Sequence, residues 1–425
     1  MIEKDYRSTH LGGHALHDET MMLGYGYDPA LSEGSVKPPI FSTSTFCFPS
    51  AEAGREFFDI VSGRSRTARN DADGGLVYSR FNHPNAQIVE ERLALFERAD
   101  AGAVFSSGMA AISTAAMAHC APGDVILYSQ PLYGGTDSLF KKVLAKFGVT
   151  PLPLADATDA AAMLADAQAA RAKGRVAMIF LETPANPLAS LADIGAAAQV
   201  AGEIGKAQGH RPLVAVDNTL LGPVLQSAVQ AGADLSIYSL TKSVGGHSDL
   251  VAGGVVGTRA AVTPIRLLRS LLGGNLDPNS CWMLARSLET VTLRMEKASD
   301  NATRVAAFLA AHPKVKAVHH PSLLAKGSAQ ARIYAKQCKG PGCLMAFDVG
   351  DRESAFRCLD RLRIAKLAVS LGGTETLVCH PSTTVHSGVA EKERLAIGVT
   401  EGIVRLSVGI EHPDDLIADF AQALA

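Results

Sequence analysis

From about Asn85 the chain alternates between helical stretches and short apolar runs. QIVEERLALFERA, AVFSS, GMAAISTAAMAHC, DVILYS, VAMIFLE, LVAVDN, LSIYS and LVAGGVVG follow in order, with Gly, Pro or Asp at the joints. This alternation predicts an α/β fold. The runs are too short for helices and apolar nearly throughout, as strands are when both faces of a sheet are covered, so a mostly parallel sheet between helical layers is expected. Ligands then belong at the carboxyl ends of the strands. The Ala-rich DATDAAAMLADAQAARAKG reads as a helix between strands, and no internal repeat is evident.

The flanks differ from this centre. Residues 1–82 lack sustained periodicity and carry the turn-rich YGYDPALSEGSVKPPIFSTSTFCFPS, which reads as an arm over a surface. Within it, GRSRTARNDADGG mixes both charge signs with glycine and is expected to be a solvated loop. The sheet-forming domain is placed at 83–291. A long helical stretch near Asn279–Ala311 should lead out of it into a smaller α+β domain, 292–425, with CLMAFDVG, TLVCHPS and IVRLSVGI as strands and ESAFRCLDRLR and DDLIADFAQALA as helices.

A chain of 425 residues exceeds one ordinary core, in agreement with two domains. Its net charge of −2 offers no general attraction to nucleic acid or anionic membrane, so small molecules and other copies of the chain are the expected partners. No apolar run is long enough to span a bilayer, and MIEKDYRSTHLGGH lacks the apolar stretch of a signal peptide, which points to the cytoplasm. The seven cysteines include no CxxC pair and read as reduced, buried thiols. His319, His320, Cys338 and Cys343 match no zinc spacing, and no metal is expected.

Chemistry concentrates at the ends of the apolar runs. IYSLTKSVGGHSD sets Lys242 between hydroxyl residues and a glycine pair, and LVAVDNT ends a strand on Asp217 about twenty residues earlier. A lysine amine can hold an aldehyde as a Schiff base, and a strand-end aspartate can keep a pyridine nitrogen protonated; together they point to pyridoxal phosphate. In AVFSSGMAAISTAAM a strand runs into a helix, which leaves the N–H groups of Gly108 and Met109 free for a phosphate. Ser239 and Thr241 can add hydroxyl donors there. Tyr133, after DVILYS and before Gly134–Gly135, can stack on a pyridine ring or simply pack. Asn186 in ETPANPLA can bind the cofactor's phenolic oxygen or a substrate carboxylate, or serve an ordinary turn. Tyr78 and Arg80 of YSRFNHPN share one face of an extended segment in the arm and can reach an anion together. Arg405 lies in the apolar run IVRLSVGI and needs a carboxylate, either from the protein or from a substrate.

Taken in order, YSR, SSGM, LYGGT, ETPANP, VDNT, SLTK, GGHSD, AVSLGGTETL and VRLSVGIE resemble the Cys/Met-metabolism family of pyridoxal-phosphate enzymes over nearly the whole chain. The resemblance implies a fold-type-I, aspartate aminotransferase-like architecture and a homotetramer of two catalytic dimers. It assigns the Schiff base and proton transfer to Lys242, the pyridinium to Asp217, and stacking and assistance to proton transfer to Tyr133. It assigns the phosphate to Gly108, Met109, Ser239 and Thr241, with Tyr78 and Arg80 supplied by the neighbouring subunit, and the α-carboxylate to Asn186, Ser370 and Arg405. The implied chemistry is γ-elimination from an L-homoserine-type amino acid, with methionine and canavanine as leading substrates. γ-Replacement, as in cystathionine γ-synthase or an O-acylhomoserine sulfhydrylase, is the alternative, and a catalytically silent binding protein is the reading outside enzymes. Val369 stands where many cystathionine-handling members carry glutamate. Gly135 stands where methionine γ-lyases typically carry cysteine, and RSLLGGNLD, from Arg269, lacks their Lys-Asp pair.

Overall fold

The computed structural model describes residues 5–61 and 75–425. Its larger sheet has seven strands: β1 (Ala101–Phe105), β2 (Asp124–Tyr128), β3 (Thr150–Pro153), β4 (Arg175–Glu182), β5 (Leu213–Asp217), β6 (Leu235–Ser239) and β7 (Gly253–Gly257). They lie side by side in the order β1-β7-β6-β5-β4-β2-β3. All neighbours are parallel except β7, which is antiparallel to both β1 and β6. The fold is thus α/β with a mostly parallel sheet, as the alternation predicts. Six strands coincide with the apolar runs. β3 does not, because TPLP is a half-exposed edge strand with no apolar run to reveal it.

Alternation within the strands decides which helices cover which face. Ile126, Met178, Phe180, Ala215, Ile237 and Val255 point one way and pack with Ala111, Ile112 and Ala115 of the helix that follows β1. Their neighbours Val125, Leu127, Ile179, Leu181, Val214 and Val216 point the other way, against Ala-rich helices containing Met163, Ala167, Ala197 and Ile204. Each fully buried large aliphatic or aromatic side chain contributes about 1.5–3 kcal/mol. Both faces being covered, functional groups have only the strand ends left to occupy.

The C-terminal sheet runs β8 (Ala317–His319), β9 (Leu344–Asp348), β10 (Lys366–Leu367), β11 (Leu377–Cys379) and β12 (Ile403–Ser407) along the chain and β8-β9-β12-β11-β10 in space. Helices Val291–Ala311 and Pro413–Leu424 pack on it through Val305, Leu309, Leu416 and Phe420. Arg405 stands in central β12, opposite Ala346 of β9 and Cys379 of β11.

The helical stretch expected over Asn279–Ala311 is two helices, Pro278–Leu288 and Val291–Ala311. Thr290 leaves helical geometry, and the Ser287 carbonyl at the break accepts from Arg294 Nη2 at 2.8 Å. Arg294 also caps the carbonyls of Ser243 and Val244 just after Lys242, so the break is tied to the lysine loop.

In the N-terminal segment Met21, Met22 and Tyr27 enter the core of their own chain beside Leu93 and Phe96, whereas Leu31 and Val36 are exposed. A helix at Ala51–Val61 was not foreseen there. The mixed-charge segment at 63–75 lies outside the described residues except for Gly75. The cysteines are all free, and Cys281, Cys343, Cys358 and Cys379 are buried as expected, whereas Cys120 and Cys338 are half-buried and Cys47 is exposed. His320 is a satisfied core histidine, paired with Ser322 Oγ at 2.7 Å and the Gly342 carbonyl at 3.2 Å. No helix among the described residues is long and apolar enough to cross a membrane.

Candidate active site

The site forms where β4, β5 and β6 end and where the C-terminal sheet presents β12. Asp217 is the last residue of β5. Its carboxylate is buried and accepts from Thr219 twice, from the N–H at 3.1 Å and the hydroxyl at 2.5 Å. Thr219 Oγ1 in turn accepts from the Ser239 N–H at 2.8 Å, which locks the ends of β5 and β6 together. Burial pushes the Asp217 carboxyl up despite these bonds. Among the described residues no cation pairs with it.

Ser239 faces the helix at Gly108–His119. Ser107 caps that helix by accepting from the Ala110 N–H at 3.0 Å. The N–H groups of Gly108 and Met109 precede the first intrahelical bonds and are available to an anion. Glycine is required at 108 because a Cβ would stand 2.9 Å from Ser239 Cβ and 3.2 Å from its Oγ. The structure therefore brings Gly108, Met109 and Ser239 together as a cradle. Thr241 behaves differently: its hydroxyl donates to the Ala252 carbonyl at 3.1 Å and accepts from the Ala252 N–H at 3.0 Å, which commits it to the backbone.

Lys242 follows β6 and is largely buried. Its Nζ donates to Ser370 Oγ at 2.9 Å. Burial, and then the positive charge of Arg405, bring the amine down to about 8, near the point where a neutral amine is plentiful. Ser370 holds φ at +100°, a left-handed conformation that costs a residue with a Cβ about 1–3 kcal/mol and clusters at functional sites. With that conformation its hydroxyl meets Lys242 and its carbonyl accepts from Arg405 Nη2 at 2.6 Å.

Arg405 is 1% exposed. Beyond the Ser370 carbonyl it donates from Nη1 to Asn186 Oδ1 at 3.5 Å, while Nε has no partner among the described residues. Among the described residues no carboxylate pairs with it. A buried guanidinium in this state carries an uncompensated charge that an anion could neutralise.

Tyr133 is 41% exposed, and its ring lies so close to Gly135 that a Cβ there would stand 2.6 Å from Cε1 and 3.1 Å from Met109 Sδ. The tyrosine turn thus abuts the Gly108–Met109 helix start. Tyr78 and Arg80 are not drawn into this cluster within the chain. Arg80 donates to the Ser270 carbonyl and stacks on Phe81 at 4.8 Å, while Tyr78 forms an isolated bridge with Thr45.

Three further residues were not singled out from the sequence. Thr219 is visible only as part of VDNT. His386 is buried against the Arg405 and Asn186 region; burial and then Arg405 hold it down to about 4, so it is neutral. Glu182, at the end of β4, lies in register with Asp217 and accepts from the N–H groups of Tyr133 and Asn186.

These residues fit pyridoxal phosphate: a buried carboxylate for a ring cation, a glycine-walled cradle for phosphate, and an amine poised to lose its proton. A family model for Cys/Met metabolism PLP-dependent enzymes matches residues 19–425. The chain belongs to that family. It is 37% identical over 410 residues to L-methionine γ-lyase of Pseudomonas putida, covering 95% of this chain and 96% of that protein. It is 34% identical over 409 residues to cystathionine β-lyase of Bacillus subtilis, covering 96% of each. Cystathionine γ-synthase from Xanthomonas oryzae, solved with aminoacrylate and cysteine, superposes with a TM-score of 0.84 at 31% identity, covering 96% of this chain and 98% of that one. Family membership makes the chain a PLP-dependent enzyme of the lyase or transferase type, acting on amino acids.

Proposed function

We propose that this enzyme is a γ-lyase that removes the γ-substituent of an L-homoserine-type amino acid, with methionine and canavanine as the substrates to test first. The observation that carries the reading is Arg405, buried without a carboxylate among the described residues and joined through Ser370 to an amine held near 8. An α-amino acid docked with its carboxylate on Arg405 and Asn186 brings its α-carbon toward Lys242. Similarity to methionine γ-lyases over most of both chains supports elimination.

When bound, pyridoxal phosphate supplies the electron sink. Asp217 would keep the proton on its ring nitrogen, and Gly108, Met109 and Ser239 would hold its phosphate. Lys242, neutral at Nζ, takes the proton from the substrate α-carbon, a role its lowered basicity favours. Tyr133, exposed beside Gly135, would stack on the cofactor and assist departure of the γ-group. Lysine and tyrosine thus divide the proton transfers, while the arginine fixes which face of the α-carbon is presented.

The γ-replacement reading is the second one, supported by likeness to a cystathionine γ-synthase. Turnover of methionine, canavanine, cystathionine and O-acetylhomoserine, each with and without cysteine, separates the two. Release of 2-oxobutyrate without a thiol is expected; a strict requirement for cysteine or sulfide would overturn elimination. Gly135 bears on substrate choice, since a cysteine at this position would displace the Tyr133 ring. The distal wall there is left without a thiol.

The segment 1–82 is read as an arm whose Tyr78 and Arg80 complete the phosphate site of the neighbouring subunit in a homotetramer, and exposed Leu31 and Val36 support such a contact. Mixing Arg80→Ala with Lys242→Ala subunits is expected to restore part of the activity, because half the sites in a mixed dimer would regain both residues. Verified mixed dimers without activity would refute the shared site. The free cysteines support a reducing, cytoplasmic setting.

A further inference from the structure

Glu182 is 5% exposed at the end of β4, in register with Asp217 on β5. Its two carboxylate oxygens do separate work. Oε2 accepts from the Tyr133 N–H at 2.6 Å, and Oε1 accepts from the Asn186 N–H at 2.9 Å. The Glu182 N–H itself donates to Ser129 Oγ at 2.9 Å, which anchors the residue to the end of β2. One side chain therefore spans the turn that carries the stacking tyrosine and the turn that carries the asparagine beside Arg405. No cation compensates it among the described residues, and burial followed by the charge of Asp217 pushes its carboxyl well above the usual range. A buried acid in this position is costly, and a neutral turn would be cheaper if only packing were required.

We propose that Glu182 is a positioning residue that sets the Tyr133 ring and the Asn186 amide in one fixed relation, by accepting both backbone N–H groups on a single carboxylate. The proposal rests on the roles given above to Tyr133 and Asn186. Two acceptors facing two donors are what a carboxyl group provides in either protonation state, because its hydroxyl oxygen keeps a lone pair, and what a carboxamide cannot. Glu182→Gln keeps the shape but turns one oxygen into an NH2 group facing an N–H. One of the two turns must then shift, and a displacement of about 1 Å near reacting groups costs on the order of 10²-fold in rate.

The experiment compares the PLP-loaded parent with Glu182→Gln, Glu182→Asp, Tyr133→Phe and the Glu182→Gln/Tyr133→Phe double variant. For each, kcat, KM and circular dichroism in the visible cofactor band are measured. Glu182→Gln is expected to lower kcat/KM by about 30–100-fold with cofactor content retained, and to change the amplitude of the cofactor dichroism because the stacked ring has moved. The double variant should lose less than the product of the two single losses, since both changes act on one ring. Should Glu182→Gln not fold, Glu182→Asp keeps both acceptors one methylene shorter and is expected to lower kcat/KM by about tenfold with the same change in dichroism. If the loaded Glu182 variants match the parent in kcat/KM and dichroism while Tyr133→Phe is impaired, Glu182 has only a structural role and the proposal falls alone. If Tyr133→Phe is as active as the parent, the role given to the tyrosine falls and the proposal goes with it.

Discussion

The proposed cofactor half of the site and its proposed substrate half are held in different ways. Asp217, Ser239, Gly108 and Lys242 stand on or next to strand ends and a capped helix, and Asp217 and Ser239 are joined through Thr219. The substrate half depends on one guanidinium projecting from another sheet, a residue at φ +100° and a contact to Asn186 at 3.5 Å. Rigid elements supply the first; uncompensated charge and local strain supply the second. Both carry a stability cost that pure packing would avoid, which is the pattern expected where binding rather than folding selects the residue.

The largest test of the cofactor half is Lys242→Ala. Turnover should fall on the order of 10⁴-fold, and the visible absorbance of the lysine-bound cofactor should disappear. Retained turnover would remove Lys242 from its role. Next in size, and directed at the substrate half, is Arg405→Leu. KM for the amino acid should rise on the order of 10²-fold, because a desolvated carboxylate would lose a buried cation that pairs with it. The melting temperature should stay within about 3 °C of the parent, as the lost hydrogen bond at Ser370 is offset by relief of a buried charge. A large fall in melting temperature with unchanged KM would make Arg405 structural.

The same variant links the two halves through pH. Capture of pyridoxal phosphate by the cofactor-free enzyme needs neutral Lys242. With the amine lowered to about 8, its rate should rise with pH and level off above 8, well below the range of an ordinary lysine. Arg405 is one cause of that lowering, so Arg405→Leu should move the midpoint upward. Burial is the larger cause, and part of the lowering should therefore survive. An unmoved midpoint would mean that the two halves are electrostatically independent.

What the sequence made legible follows the same division. Asp217, Lys242 and Gly108 could be read because each ends or follows an apolar run that the sheet must bury, and the sheet order then delivers them to one edge. Arg405 was legible as a charge in an apolar strand, but its lack of an internal carboxylate needed the fold. Glu182 was hidden because an acid after a strand looks like a solvated turn residue; only the register of β4 with β5 places it beside Asp217 and under two N–H groups. β3 and β10 escaped because short, exposed edge strands leave no apolar signature. The antiparallel entry of β7 was equally invisible, since GGVVG is apolar in either direction. Thr241 is spaced from Ser239 as a shared anion would require, and without a ligand its hydroxyl is held by the Ala252 backbone, a contact that the spacing alone does not reveal.

Ser370 offers the smallest and most discriminating test, because one residue serves both halves through different atoms. Its hydroxyl accepts from Lys242 and its carbonyl accepts from Arg405. Ser370→Gly removes the first and keeps the second, while glycine tolerates φ +100° without the Cβ penalty. Stability should rise by about 1 kcal/mol, read as a higher denaturation midpoint at unchanged slope. kcat should fall only a few-fold and KM should stay near the parent value, since the carbonyl that orients Arg405 remains. Ser370→Ala loses the same hydroxyl without relief of strain, so it should match the glycine variant in kcat and fall short of it in stability. If KM instead rises toward that of Arg405→Leu, the hydroxyl itself belongs to the substrate half, and the division between the two halves fails at the residue where they meet.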